Sequence, residues 1–148
     1  MEHLLEVKNL SVSIDGPAGE VQAVRDVSFS LKRGEVLAIV GESGCGKSVL
    51  CKSIMKLLPP SAKIKEGSIC VNGQDITCYR EKEMQKLRGR VFSMIFQDPM
   101  TSLNPTIKIG KQIGEAVVIH NKNYTKEQVN KKAVSYTHLR AHETGRNL

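Results

Sequence analysis

Residues 36–48 read VLAIVGESGCGKS, so that an apolar run leads directly into a glycine-rich segment. The apolar run 36–40 predicts a buried strand, and helical periodicity begins at Ser48. A G-x-x-x-x-G-K-[ST] pattern between a strand and a helix is typical of a phosphate-binding loop, because the backbone N–H groups and the helix N-terminus point at the anion. The segment therefore predicts a binding site for a nucleoside triphosphate.

The positions of this loop have separate expected roles. Lys47 is predicted to contact the β and γ phosphates and to act in catalysis, and the Ser48 hydroxyl is predicted to bind Mg²⁺. A glycine-rich turn without a ligand is the alternative, which the flanking strand and helix disfavour. The residues predicted to surround the nucleotide phosphates are Gly41, Glu42, Ser43, Gly44, Cys45, Gly46, Lys47 and Ser48.

The cysteines predict reduced thiols and no metal site. Cys45, Cys51, Cys70 and Cys78 form no C-x-x-C pair and have no metal-ligand spacing. Cys45 lies inside the predicted phosphate loop, so alkylation of its thiol is expected to block nucleotide binding.

Composition is that of a globular chain of about one domain. The 148 residues are 40% hydrophobic and 25% charged, without an apolar run of the roughly 20 residues that cross a bilayer. The N-terminus lacks a secretory pattern, which predicts a cytoplasmic protein unless a partner holds it at the membrane.

The net charge of +7 is spread along the chain, and aromatic residues make up only 4%. A solvated basic face is therefore favoured over a nucleic-acid site, with anionic lipid or an acidic partner as the next alternatives.

Periodicity and turn signals place the remaining elements. Asn72-Gly73 after the strand 67–71 is a strong hairpin signal, and the Thr125/Gln128 spacing predicts a capping box at a helix start. Pro59-Pro60 is expected to stop the helix that begins at Ser48. Strands are also predicted at 4–14, 21–24, 27–31 and 91–96, and helices at 48–58, 80–89, 107–120 and 125–133. The first strands are expected to form an antiparallel layer.

Gln97 follows the apolar strand 91–96 directly. Ligands in open α/β sheets bind at the carboxyl ends of the strands. Gln97 is therefore a candidate ligand, whereas an ordinary polar strand end is the alternative.

These segments in this order resemble the nucleotide-binding subunit of ATP-binding-cassette (ABC) transporters, from about Leu4 to about Ala133. AIVGESGCGKS at 38–48 and FQDPMTSLNP at 96–105 resemble the importers of oligopeptides and dipeptides. The resemblance implies an α/β fold of the P-loop NTPase, ABC-ATPase type. That fold has an antiparallel β layer, a parallel core sheet with helices and the start of a helical subdomain, here truncated.

The resemblance also implies site residues and cofactors. Gln97 falls on the glutamine that helps to hold Mg²⁺ and the attacking water, which makes it a predicted catalytic and metal-binding residue. Ile14 falls where the family usually has an aromatic residue that stacks on adenine, so it offers only apolar contact to the base. The implied cofactors are ATP and Mg²⁺.

The implied partners are transmembrane permease subunits, a second ATP-binding subunit that is identical or different, and indirectly a peptide-binding protein. The helices 107–120 and 125–133 fall in the subdomain that docks on the permease, at the cytoplasmic face of the membrane. A soluble nucleotide switch without transport and an inert truncation are the alternatives.

Residues 134–148 differ in character from the rest of the chain. Residues 134–144 read VSYTHLRAHET, which resembles the translation of a transposase adapter used in sequencing libraries. That interpretation is favoured over a metal site at His138 and His142. It divides the chain into residues 1–133 of a nucleotide-binding domain and a non-native tail at 134–148. The family's acidic strand, signature loop and switch histidine do not follow Gln97, so the fragment is expected not to hydrolyse ATP.

Overall fold

The computed structural model describes residues 3–96, 103–121 and 123–144, with side chains described as far as residue 136. These residues form two compact units, one ending at Arg88 and the other beginning at Gly89. The strands are β1 (Leu5–Gly16), β2 (Gly19–Leu31), β3 (Ala62–Val71) and β4 (Gln74–Asp75). The helices are α1 (Lys47–Ile54), α2 (Glu81–Leu87), α3 (Ile109–His120) and α4 (Lys126–Thr144).

The first unit is built on an antiparallel sheet with the strand order β2-β1-β3-β4. This arrangement confirms the predicted antiparallel layer. Its core contains fully buried apolar side chains from β1, β3 and α2 and from the residue that follows β4. They are Val7, Leu10, Val12, Ile69, Ile76 and Met84.

The two short strands predicted at 21–24 and 27–31 are one continuous strand, β2. Asp26 lies between them with a φ of 48°, and its partner strand has Asn9 at the same φ. Asn9 Nδ2 donates a hydrogen bond of 2.8 Å to Asp26 Oδ1. The register of β1 and β2 shifts in this region. A β-bulge therefore joins the two strands that the sequence pattern predicts separately.

The hairpin predicted at Asn72-Gly73 is confirmed. Asn72 and Gly73 have φ values of 50° and 75° between β3 and β4. Positive φ at both central residues is the geometry of a type I′ turn, which matches the twist of the flanking strands.

Two strands predicted from apolar runs are not formed, and those predictions are wrong for this structure. Residues 36–40 have no regular secondary structure, and Val36 and Val40 are 96% and 90% exposed. In the run 91–96 only Phe92 makes an isolated bridge, and Ile95 is 97% exposed. Such continuous apolar strands belong in the interior of a parallel sheet, where neighbours satisfy the backbone on both sides. Within the described residues no strand pairs with 36–40.

The second unit contains α3 and α4. Thr125 N–H donates to Gln128 Oε1 at 2.9 Å, and Gln128 N–H donates to Thr125 Oγ1 at 3.4 Å, which confirms the predicted capping box. A Cβ added to Gly114 of α3 would lie 3.1 Å from Val129 Cγ1 of α4, so the two helices approach closely there. α4 continues to Thr144 instead of ending near Ala133, although residues 134–144 have no clear helical periodicity. Four residues of that stretch, Leu139, Arg140, Ala141 and Glu143, have high helix propensity, whereas the other seven do not.

Among the helices that the structure describes, none is both long enough and apolar enough to cross a membrane.

Candidate functional site

The glycine-rich segment 41–48 curls around the side chain of Lys47. Lys47 Nζ donates hydrogen bonds to the carbonyl oxygens of Gly41, at 2.7 Å, and Glu42, at 2.6 Å. It also lies 3.5 Å from Cys45 Sγ. The ammonium group is therefore held on the inner side of the loop by backbone oxygens of the loop itself.

Gly46 sets the position of this loop against the sheet. It is the N-cap of α1 with a φ of 95°, a conformation that L side chains rarely adopt. A Cβ at this position would lie only 2.1 Å from the carbonyl oxygen of Ala23 in β2. The loop therefore packs directly on the sheet backbone at a point where only glycine fits.

The N-terminal end of α1 has the charge character of an anion site. Its first turn contains no acidic residue, and Lys47 is its first residue. The N–H groups of the first turn of a helix point outward with partial positive charge, and the helix dipole adds to that potential. The hydrogen bond from Leu50 N–H to Gly46 O, at 2.9 Å, is the first backbone bond of the helix, so the helix N–H groups before Leu50 remain available to a ligand.

Ser48 and Cys45 are exposed at the loop surface. The hydroxyl of Ser48, in the first turn of α1, is accessible to a ligand. Among the described residues, no group of three or more His, Cys, Asp or Glu side chains could hold a metal ion. A cation here would depend on Ser48 together with oxygens brought by the ligand.

Ile14 and Gln97 are the candidate site residues predicted outside the loop. Ile14 is half-buried in β1, where it pairs with Val21 of β2 and Ala62 of β3. Gln97 lies outside the described residues, so its role stays a prediction.

Cys70 is half-buried in β3, where burial raises the pKa of its thiol. The higher pKa makes this thiol less reactive.

The structure adds two features to the site that no sequence pattern predicts. One is the contact between Gly46 and Ala23. The other is Arg88, which bonds to the C-terminal end of α1. Arg88 and its partners are more than 30 residues apart in sequence, so no local pattern signals the contact.

Comparison with known proteins gives consistent matches. The sequence model of the family described as "ABC transporter" matches residues 24–146. The oligopeptide transport ATP-binding protein OppD of Bacillus subtilis is 55% identical over 137 residues, which cover 92% of this chain and 38% of the relative. The dipeptide transport ATP-binding protein DppD of Lactococcus lactis is 52% identical over 90% of this chain and 38% of its own length. The chain thus spans about two fifths of these curated relatives.

Solved structures with a similar fold are ATP-binding cassettes. A dimeric post-hydrolysis state of the cassette MJ0796, bound to ADP and Pi, aligns with a TM-score of 0.72 at 21% identity, over 88% of this chain and 54% of that one. The structure of cbiO1 from Clostridium perfringens, part of the transporter complex cbiONQ, aligns with a TM-score of 0.63 at 27% identity, over 88% of this chain and 47% of that one. These matches agree with the fold class predicted from the sequence.

Proposed function

Because the chain belongs to the ABC transporter family, we propose that it is part of the ATP-binding subunit of a peptide importer and that residues 41–48 bind the phosphates of ATP. The names of the relatives support the peptide class. The enclosure of the Lys47 ammonium by the loop at the N-terminus of α1 carries the proposal. The loop combines the positive charge of Lys47, the N–H groups at the N-terminus of α1 and the close packing of Gly46 on the sheet.

The residues present fit ATP with Mg²⁺. Lys47 would exchange its contacts with the loop carbonyls for contacts with phosphate oxygens, and the first-turn N–H groups of α1 would donate to the same anion. Mg²⁺ prefers oxygen ligands and keeps several waters, so the Ser48 hydroxyl and phosphate oxygens form a suitable set. When bound, the cation would neutralise charge on the phosphates. Gln97 is proposed as a second oxygen ligand that also orients water.

Hydrolysis and transport are proposed for the complete subunit. Phosphoryl transfer depends mainly on positioning and charge neutralisation, which Lys47 supplies here. A dimeric relative bound to ADP and Pi supports the proposal that two such subunits act together. We propose that α3 and the part of α4 up to Ala133 dock on membrane permease subunits at the cytoplasmic face, with a peptide-binding protein as an indirect partner.

The tail is a separate proposal. The resemblance of residues 134–144 to a translated adapter sequence supports a non-native segment from Val134. The same interpretation predicts that this chain binds nucleotide without hydrolysing it. Sequencing the uninterrupted locus past codon 133 tests the assignment, because a native continuation would differ from residues 134–148.

Nucleotide binding is tested with Lys47→Ala. We expect the affinity for ATP with Mg²⁺ to fall about 10- to 100-fold, because hydrogen bonds to charged groups contribute about 1.5–3 kcal/mol. Isothermal titration calorimetry of the purified chain measures the affinity. Lys52→Ala is the matched control, since Lys52 lies on the same helix in its last turn, and its affinity should equal that of the wild type. A wild-type chain without affinity for ATP, or a Lys47→Ala variant with full affinity, would contradict the proposal.

A further inference from the structure

The C-terminal end of α1, opposite the phosphate loop, is held by an arginine from another element. Arg88 Nε donates to Met55 O and Arg88 Nη2 donates to Lys56 O, each at 3.0 Å. The side chain of Arg88 is only 19% exposed. A largely buried guanidinium thus donates hydrogen bonds to backbone oxygens just beyond the last residue of α1.

The other side of the guanidinium binds a carboxylate. Arg88 Nη1 lies 2.6 Å from Glu81 Oε1, and Arg88 Nη2 lies 3.2 Å from Glu81 Oε2. This is the bidentate geometry that gives charge-assisted pairs their strength and direction. The hydrogen bond from Arg88 lowers the pKa of the Glu81 carboxyl. Glu81 begins α2 and Arg88 follows its last residue, so the pair spans that helix.

The backbone at this end of α1 is strained as well as bonded. Lys56 has a φ of 51°, and the bonds Leu57 N–H to Lys52 O and Lys56 N–H to Ser53 O close a Schellman motif. Glycine is the usual residue at the left-handed position of that motif. Here Arg88 and a bond of 2.7 Å from Lys56 Nζ to Tyr79 O hold a lysine in its place.

We propose that Arg88 is a positioning residue for the phosphate loop: paired with Glu81, it fixes the C-terminal end of α1 and thereby the direction in which the N-terminal end presents its N–H groups and Lys47. The inference rests on the proposed function, since it concerns the same phosphate site. We call Arg88 with its bonds to Glu81, Met55 and Lys56 the clamp. α1 has eight residues, so the clamp acts about 12 Å from the loop through a single rigid helix.

Apart from Arg88, α1 is constrained by its contacts with β1 and β2. Residues 36–40, which lead into the loop, lie exposed without regular structure. Only Leu50 and Ser53 of α1 are buried, and Gly46 is the contact of the loop with β2. Fixing the far end of α1 therefore acts together with the sheet contacts in setting the angle at which the loop meets a phosphate.

The test measures binding of a fluorescent ATP analogue, with Mg²⁺, to the full chain and to Arg88→Gln. We expect the dissociation constant to rise roughly tenfold, within the range of mutations that act through a packed network. Binding stoichiometry should stay unchanged, because a positioning defect alters affinity, whereas partial unfolding lowers the number of competent molecules. Arg88→Lys should restore affinity only in part, since an ammonium cannot form the bidentate pair.

Two further variants make the result decisive. Lys65→Gln breaks an exposed ion pair of 2.9 Å between β3 and Glu20 of β2 in the same unit, and should bind as the wild type does. If Arg88→Gln does not fold by circular dichroism, Glu81→Gln decides, because it keeps the bonds from Arg88 to α1 and removes only the charge partner. We expect it to weaken binding about threefold, and unchanged binding would then overturn the clamp.

Lys47→Ala, measured beside them, separates the two proposals. If Lys47→Ala weakens binding and Arg88→Gln folds and binds as the wild type does, the clamp is wrong and the phosphate site stands. If the wild type does not bind, or if Lys47→Ala binds equally well, the proposed function fails and the clamp fails with it.

Discussion

Lys47 and Cys45 occupy the same side of the phosphate loop. Cys45 Sγ lies 3.5 Å from Lys47 Nζ. The same sulfur lies only 2.7 Å from where a Cβ on Gly41 would be. The thiol therefore lies beside the ammonium, and a group added to the sulfur would lie close to the proposed position of the phosphates.

Alkylation of Cys45 with N-ethylmaleimide should therefore weaken ATP binding about tenfold or more, because the adduct displaces a charged hydrogen-bond donor from the phosphates. Nucleotide affinity is measured before and after complete modification, which mass spectrometry verifies. Cys78 is also exposed and serves as the matched control. Cys78→Ser should stay sensitive to the reagent, whereas Cys45→Ser should become resistant. Full affinity after modification of Cys45 would refute the placement of the thiol beside the phosphate.

At the residue scale, sequence identified the loop but not what supports it. Lys47 and Ser48 were predictable because the G-x-x-x-x-G-K-[ST] spacing is itself local. Ala23, whose carbonyl oxygen excludes any side chain at Gly46, and Arg88 at the far end of α1 were not predictable. Each residue is more than 20 positions away in sequence from the residue that it contacts, and the adjacent sequence gives no signal of the contact.

At the scale of elements, the β3–β4 hairpin is reinforced just beyond its turn. Asp75 Oδ1 accepts a hydrogen bond of 2.7 Å from Thr77 N–H and another from the Thr77 hydroxyl. The hydroxyl oxygen in turn accepts a bond of 2.8 Å from Ile69 N–H. The bonds from Thr77 lower the pKa of the Asp75 carboxyl below its ordinary value of 3.8.

This shift predicts how stability depends on pH. The folded state resists protonation of Asp75, so the stabilisation is complete above the unfolded pKa of 3.8 and is lost as the pH falls through the lower folded pKa. Asp75→Asn should remove that part of the pH dependence, amounting to roughly 0.5 kcal/mol or less because solvent screens an exposed carboxylate. Urea unfolding at pH 7 and pH 3 measures the difference.

Thr77→Val should reduce the same pH dependence, since both variants lose bonds to the Asp75 carboxylate. Glu66→Gln, on β3 but outside this network, is the control and should leave the contribution in place. If Asp75→Asn kept the wild-type difference between the two pH values, the carboxylate would not be responsible for it.

The elements that sequence predicted well are those fixed by short-range chemistry. The Asn72-Gly73 turn and the Thr125/Gln128 cap each depend on residues within three positions of one another. The strands predicted at 36–40 and 91–96 depend on neighbours distant in sequence, which an apolar run cannot reveal. α1 ends at Ile54, before Pro59, because its Schellman turn and Arg88 close it first.

At the scale of the whole molecule, each unit carries at its described surface apolar residues that are almost fully exposed. Val36 and Val40 in the first unit and Ile95 in the second are at least 90% exposed. Runs of exposed β-branched residues favour association through new strand pairing or apolar contact. The apolar runs 36–40 and 91–96 predicted strands, and within the described residues neither run is covered by a neighbouring strand.

The purified chain should therefore self-associate and bind the dye ANS at neutral pH. Replacing Val36, Val40 and Ile95 by threonine should raise the dissociation constant for self-association by at least about tenfold, because covering one such side chain contributes about 1.5–3 kcal/mol. Sedimentation velocity at several concentrations measures association, and ANS fluorescence reports the exposed apolar surface. Val21→Thr is the matched control: Val21 is 62% exposed but lies in the paired strand β2, and this change should leave both readings unchanged. A monodisperse wild-type monomer that does not bind ANS would show that residues 36–40 and 95 are covered in solution, and the unpaired state of these segments would then be wrong.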